Sequence, residues 1–218
     1  MGFLKLYMLF IAISFFASLR IYFTKKTSYN YLKLFPPLLL VTLIVELLGA
    51  YLGSQGKNNL ALYNFFSVFW ICYCLGIINC VITNTRVKKI MWGTIVLYTL
   101  AAIINILFIQ KVKTFNTVTY SFGFLLIVLF CIYYFFELFS LPKSVHLANN
   151  PAFWICLGLL FFCCCGFPLY GFINYWAKVP LVIQNFNIIV TVLNIFLYSL
   201  FTIAFLCAKT PKYTLSQS

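Results

Sequence analysis

Residues 181–207 read LVIQNFNIIVTVLNIFLYSLFTIAFLC, an apolar segment that is long enough to cross a bilayer as a helix and carries polar residues at regular spacing. Steps of three and four place these polar residues on one helix face: Gln184, Asn187, Thr191, Asn194 and Tyr198. Lipid offers no hydrogen-bond partner to an amide, so this face should point toward other helices or a wet cavity. The segment therefore predicts a membrane helix bundle with a polar interior.

The composition of the whole chain also indicates a membrane protein. Of its 218 residues, 64% are hydrophobic and 8% are charged, which leaves too little polar surface to cover a water-soluble domain. Fifteen Lys and Arg residues against two acids give a net charge of +13, but they lie singly or in small groups between apolar runs. That distribution is typical of membrane loops, so we expect a lipid bilayer and no nucleic acid as partner.

Seven apolar runs are long enough for transmembrane helices, which need about 20 residues each. They are 3–23, 31–52, 60–82, 90–110, 119–141, 152–176 and 181–207. We predict an all-α fold, a polytopic bundle of seven transmembrane helices that forms one transmembrane domain over residues 1–218. A signal peptide is the alternative for the first run and would leave six helices, but the run continues through Arg20 to Phe23 without a clear cleavage pattern.

Basic residues are divided unequally between the two sides of this predicted bundle. Ten lie on the side of Arg20 and Lys209, and five lie on the side of Lys57 and Lys178. Cytoplasmic loops are enriched in Lys and Arg. The count therefore predicts that the N-terminus is outside and the C-terminus is cytoplasmic.

A shift of 91 residues aligns the second and third spans with the fifth and sixth without a gap. It places Glu46 on Glu137 and the pair at 58–59 on the Asn pair at 149–150. Apolar chains match each other easily, but here the rare acids and Asn pairs share one offset. A three-helix unit repeated after an odd number of crossings is inverted in the membrane, as in many transporters. The offset thus indicates a 3+3 inverted repeat followed by a seventh helix.

The two acids lie near the C-terminal ends of their helices, on opposite sides of the membrane. A helix C-terminus carries partial negative charge, which disfavours a carboxylate unless a donor or cation compensates it. Arg20 is the natural partner for Glu137, so we predict an ion pair between them. A structural role and a role in ligand binding or proton coupling both stay open for the acids.

Polar residues of several spans collect in the predicted outer half of the bundle. If their faces converge, they form a pocket for a small-molecule ligand, with one carboxylate and several neutral hydrogen-bonding groups. The alternative is that the amides only join helix to helix. The predicted cavity residues are Glu46, Asn64, Asn105, Gln184, Asn187, Thr191, Asn194 and Tyr198.

Residue types that metals and common enzymes need are dispersed. All nine cysteines lie inside apolar spans and the one histidine, His146, lies in a loop, so we expect neither a metal site nor a cofactor. Two acids on opposite sides of a membrane cannot act as an acid–base pair, and no Ser, His and Asp set is present. The sequence predicts no catalytic residues and leaves a lipid-active enzyme as the weakest alternative.

Five segments carry a likeness to known proteins. They are ELLGAYLG (46–53), NNLALYNFF (58–66), IYYFFELF (132–139), PAFWICLGLLFF (151–162) and LNIFLYSLFTIAFLC (193–207). On these segments the chain resembles small seven-span integral membrane proteins of unknown function that are common in Bacteroidota. The resemblance implies a seven-helix bundle in the bacterial inner (cytoplasmic) membrane, and it implies no particular activity.

Two functions fit these features. The polar stripe and the repeat favour a transporter-like or small-ligand-binding bundle. The alternative is a membrane sensor that signals through a separate cytoplasmic partner, because only about ten residues follow the last span. A continuous wet path across the bundle would favour transport, and a closed outer pocket would favour sensing.

Overall fold

The helices of the chain follow the apolar runs of its sequence. A computed structural model describes residues 2–23, 29–110, 114–140, 147–173 and 180–208. Its long helices are α1 Gly2–Phe23, α2 Phe35–Ser54, α3 Leu60–Val81, α4 Thr85–Ile104, α5 Thr117–Phe139, α6 Pro151–Gly171 and α7 Pro180–Cys207. Short 3-10 turns at Asn30–Leu34 and Leu147–Asn149 precede α2 and α6, and a π-helical turn at Asn105–Ile109 extends α4. These ranges contain no strand, and the predicted all-α bundle of seven helices is confirmed.

Local signals set where the helices begin. Helix α4 starts five residues before the predicted apolar run, because the Asn84 side chain accepts hydrogen bonds from the backbone N–H groups of Arg86 and Val87. Asn150 caps α6 in the same way, through the N–H of Ala152 at 3.1 Å. Helix α6 ends at Gly171, and the predicted continuation of this span over 174–176 lies outside the described residues.

The surface of the bundle is apolar. Side chains such as Leu97 and Phe136 are about 70% exposed, and all seven helices are long and apolar enough to cross a membrane. Water would disfavour this surface at about 25 cal/mol per Å² of apolar area, whereas lipid accepts it. The protein is therefore a multi-pass integral membrane protein.

Six of the helices form a closed ring. Helix α1 packs between α2 and α7, α6 packs between α5 and α7, and α3 completes the ring by packing against α2 and α5. Helix α4 lies outside the ring, against α3 and α5. The interior of the protein is thus the axis of a six-helix ring.

The apolar core fills this axis in the half of the bundle where α3 and α5 end. Leu75 and Ile78 of α3, Ile155 of α6 and Phe201 of α7 are almost completely buried there. The buried cysteines of the chain, Cys74, Cys131, Cys156 and Cys163, belong to the same core. They pack as small apolar side chains, and the described residues hold no cluster of His, Cys, Asp and Glu suited to a metal ion.

Candidate functional site

A cavity of about 400 Å³ occupies the other half of the ring axis. We call it the Glu46 cavity. It extends from Asn59 and Leu60, where α2 connects to α3, down to Trp70 and Tyr198 toward the middle of α3 and α7. All six ring helices contribute to its lining and α4 does not. Its volume lies in the range of small-molecule sites, about 300–1,000 Å³.

The lining of the Glu46 cavity is strongly aromatic. Half of its twenty described residues have aromatic rings: Tyr7, Tyr63, Phe66, Trp70, Phe115, Tyr120, Phe162, Tyr170, Phe186 and Tyr198. Neutral polar residues supply much of the rest, namely Thr42, Asn59, Ser67, Asn187, Thr191 and Asn194. Glu46 is the one acid among them, and none of the described lining residues is Lys or Arg.

Three helices position the Glu46 carboxylate. Tyr7 of α1 donates a hydrogen bond of 2.6 Å to Glu46 Oε2, and Tyr63 of α3 donates one of 3.2 Å to the same oxygen. No described residue donates to Oε1, which is the other oxygen of this half-buried side chain. The carboxylate is therefore held firmly through one oxygen and keeps the other available.

Gly49 makes this arrangement possible, because it lies one turn after Glu46 on α2. A Cβ atom at Gly49 would overlap the hydroxyl group of Tyr63. The backbone carbonyl of Gly49 also accepts a hydrogen bond of 3.1 Å from Asn59 Nδ2. The end of α2 and the start of α3 are thus joined beside the mouth of the cavity.

The polar stripe of α7 also lines the cavity, and in the ring only α1 separates α7 from α2, which carries Glu46. Asn187, Thr191, Asn194 and Tyr198 all line the cavity. The Thr191 hydroxyl donates to the Asn187 carbonyl at 2.7 Å, and Asn194 Nδ2 donates to the Val190 carbonyl at 2.8 Å. These bonds stay within α7, so they hold no neighbouring helix. The fifth residue of the stripe, Gln184, has a side chain outside the described part of the structure.

Two of the predicted cavity residues lie beside the cavity and are not part of its lining. Asn64 of α3 donates to the Thr114 carbonyl at 2.9 Å and accepts from the Asn116 backbone N–H at 2.9 Å. Asn105 donates to Gln110 Oε1 at 2.9 Å and to Asn116 Oδ1. Asn64 thus ties the connection between α4 and α5 to α3, and Asn105 holds that connection together. Both amides have partners within the fold, which favours a structural role for these two residues.

This anchored connection brings aromatic rings to the cavity mouth. Phe115 follows Thr114 directly, and its ring centroid lies 6.0 Å from that of Tyr170 on α6. Tyr170 also packs perpendicular to Tyr120 at 5.0 Å and to Phe186 at 5.5 Å. Sequence patterns place Tyr120 in the predicted outer half of the bundle, but they do not single out Phe115, Tyr170 and Phe186, because 21% of the chain is aromatic.

Glu137 lies on the opposite side of the membrane, beside a second cavity of about 220 Å³. Its carboxylate accepts hydrogen bonds from the backbone N–H groups of Thr83 and Asn84, both at 3.0 Å, and from the Thr83 hydroxyl. Glu137 thus caps the connection between α3 and α4. Helix α1, which carries Arg20, packs mainly against α2 and α7. The ion pair between Arg20 and Glu137 stays a prediction.

Comparisons of the chain with protein families, with curated proteins and with solved structures find no match. The likeness to seven-span proteins of Bacteroidota therefore stays an expectation from the sequence.

Proposed function

We propose that the protein is a transporter-like membrane protein that binds a small organic molecule in the Glu46 cavity. One observation carries this proposal. The cavity is lined by every helix of the six-helix ring and reaches the middle of the bundle. A ligand at that place touches all the ring helices at once, so its binding can change how they pack.

Two polar groups of the cavity support a binding role because no described residue uses them. The Asn187 amide and the Tyr198 hydroxyl make no hydrogen bond to another described residue. Asn64, by contrast, is fully engaged in holding the connection between α4 and α5. Polar groups inside a membrane need partners. Water and a polar ligand are the partners that the cavity can supply.

The second cavity supports transport over simple binding. The offset of 91 residues relates three residues of the Glu46 cavity to three residues of the cavity at Glu137. Glu46 corresponds to Glu137, Asn59 to Asn150, and Tyr120 to Tyr29. An inverted repeat exchanges the two sides of a membrane, so such pairs would line equivalent cavities on opposite sides.

The two cavities differ in a way that fits alternating access. The Glu46 cavity is the larger, and a layer of buried apolar residues that includes Leu38, Leu75 and Phe201 lies between it and the cavity at Glu137. Helix α1 lies in the ring whereas α4 lies outside it. Repeats with identical conformations would open both sides equally, so an asymmetry of this kind accompanies a state open on one side.

Orientation and location complete the proposal. The excess of basic residues on the side of Arg20 supports a cytoplasmic C-terminus. The Glu46 cavity then faces outward from a bacterial inner membrane. The conformation corresponds to one that receives a ligand from outside.

A ligand screen with a blocked variant tests binding. The full-length protein in detergent is scanned with small polar compounds for a rise in melting temperature. Val190→Trp fills the cavity, because Val190 lies on its lining, and should abolish any true hit. Val96→Trp places the same ring on the lipid-facing surface of α4, where Val96 is 56% exposed, and should leave the hits unchanged. Hits that survive Val190→Trp would place the ligand elsewhere.

Flux then separates transport from sensing. Each hit is offered to proteoliposomes that contain the wild type or Val190→Trp. Uptake by the wild type alone supports a transporter. Binding without uptake would reject transport and leave a sensor that acts through a separate partner.

A further inference from the structure

The chemistry of the Glu46 cavity specifies a class of ligand, and this inference rests on the proposed function. We propose that the ligand is an organic cation, an ammonium compound whose charge is met by Glu46 and whose body lies against the aromatic rings of the cavity.

The charge of the cavity lining favours a cationic ligand. Glu46 brings a carboxylate into the membrane-embedded part of the protein, and no described lining residue brings a positive charge. A carboxylate with little access to water is stabilised by a nearby cation. The phenols of Tyr7 and Tyr63 both bind Oε2. Oε1 is therefore open to an N–H donor or to the positive surface of a quaternary ammonium group.

The aromatic rings of the cavity also favour a cationic ligand. Tyr170 lies at the centre of a group formed with Phe115, Tyr120 and Phe186, with centroid separations of 5.0 to 6.0 Å. Tyr170 and Glu46 line the same cavity. Aromatic faces attract cations, and desolvated cation–π contacts contribute about 2 kcal/mol. A carboxylate beside several rings is the combination that binds ammonium groups.

Other ligand classes fit less well. A phosphate or carboxylate ligand would face Glu46 without a described cation on the lining to bind it. Ca²⁺ takes about six to eight oxygen ligands, and the described residues hold no cluster of acids, His and Cys. A neutral polyol could bond to Asn187 and Asn194, but it would desolvate the carboxylate without offering an opposite charge.

The polar wall of α7 completes the site. Asn187, Thr191 and Asn194 offer neutral hydrogen-bonding groups on the part of the cavity wall that α7 forms. They suit a hydroxyl or amide on the ligand and would not repel its charge. A cavity of about 400 Å³ admits an ammonium compound with a substituent of moderate size.

Matched pairs of probes test the charge directly. Choline is compared with 3,3-dimethylbutan-1-ol, which replaces its nitrogen by carbon, and 2-phenylethylammonium is compared with 2-phenylethanol. Binding to the full-length protein in detergent is measured by calorimetry and by melting temperature. At least one cation should bind about tenfold or more tightly than its neutral partner. Failure of both cations to bind at millimolar concentration, or equal affinity within both pairs, would overturn the proposal.

Variants then test which residues of the cavity are responsible for the preference for the cation. Glu46→Gln should reduce the affinity for the cation to that for its neutral partner. Tyr170→Leu should weaken the cation severalfold, whereas Tyr51→Leu should not, since Tyr51 is exposed and does not line the cavity. A cation that binds Glu46→Gln as tightly as the wild type refutes the assignment.

The same experiment separates this inference from the proposed function. If neutral probes bind the wild type but not Val190→Trp, the cavity is a binding site and only the cation class is wrong. If no compound from either the screen or these pairs binds, the proposed function fails as well.

Discussion

The hydroxyl group of Tyr63 occupies the space that a Cβ atom on Gly49 would fill. This relationship joins α3 to α2 one turn after Glu46, and it lets the Tyr63 phenol reach the carboxylate at 3.2 Å. Gly49 lies within a helix and not in a turn, and its lack of a side chain is needed for the position of the Glu46 carboxylate. The position of the carboxylate depends on the absence of one methyl group.

Gly49→Ala should therefore destabilise the protein, by about 1–3 kcal/mol as for other overpacked sites. Melting in detergent measures the effect. Gly53→Ala is the matched control, because a Cβ there meets nothing within 4 Å, and alanine in a helix stabilises by up to about 1 kcal/mol relative to glycine. Equal melting temperatures for the two variants would mean that Tyr63 moves aside without cost.

Substitution of Asn64 and of Asn187 should affect stability and ligand binding in opposite ways. Asn64→Leu removes the bonds to Thr114 and Asn116 and should lower stability by about 1–2 kcal/mol, the range for such bonds in membranes. Asn187→Leu removes no bond to a described residue, so the fold should tolerate it while ligand binding falls. Melting and binding are measured on both variants. A stable Asn64→Leu together with an unstable Asn187→Leu would reverse the assignment of the two amides.

The contrast between Asn64 and Asn187 shows which features of the site can be predicted from the sequence. Helical spacing predicted that the polar face of α7 points inward, and Asn187, Thr191, Asn194 and Tyr198 do line one cavity. Spacing within one helix is a local property, so the sequence carries it directly. Whether Asn64 meets a ligand or the backbone of 114–116 depends on how a loop between two other helices returns. No pattern within α3 contains that information.

The same limit applies to the aromatic residues and to the ring. Apolar length predicted seven helices, but it did not predict that α4 lies outside a ring of six. Tyr170 and Tyr120 line the cavity and Tyr51 does not, although all three are aromatic residues in apolar helices. In a chain with 21% aromatic residues, the packing of the helices decides which rings line the cavity.

Glu137 should act chiefly as a cap for the connection between α3 and α4. Glu137→Ala leaves the N–H groups of Thr83 and Asn84 without their acceptor, so stability should fall by about 1–3 kcal/mol. A double-mutant cycle with Arg20→Ala tests the predicted ion pair, for which the coupling energy should be at least about 0.5 kcal/mol. Strictly additive effects would mean that the cap acts without Arg20.

The unequal charge of the two sides predicts a cytoplasmic C-terminus. A reporter that fluoresces only in the cytoplasm, fused after Ser218, should therefore give signal, and the same reporter placed before Met1 should stay dark. Ten basic residues against five favour this orientation. A dark but well-expressed C-terminal fusion would place the Glu46 cavity on the cytoplasmic side.

The proposed inverted repeat predicts opposite movements at the two cavities. Residues 58 and 172 are each next in the chain to a residue that lines the Glu46 cavity, and the offset of 91 relates them to residues 149 and 81 beside the cavity at Glu137. Spin labels are introduced at each pair with an encoded amino acid, which avoids the nine native cysteines. If the protein alternates between two states, a bound ligand that shortens the distance between the labels at 58 and 172 should lengthen the distance between those at 149 and 81 by a similar amount. Movement at one cavity alone, or in the same direction at both, would show that the shared offset of Glu46 and Glu137 has no mechanical consequence.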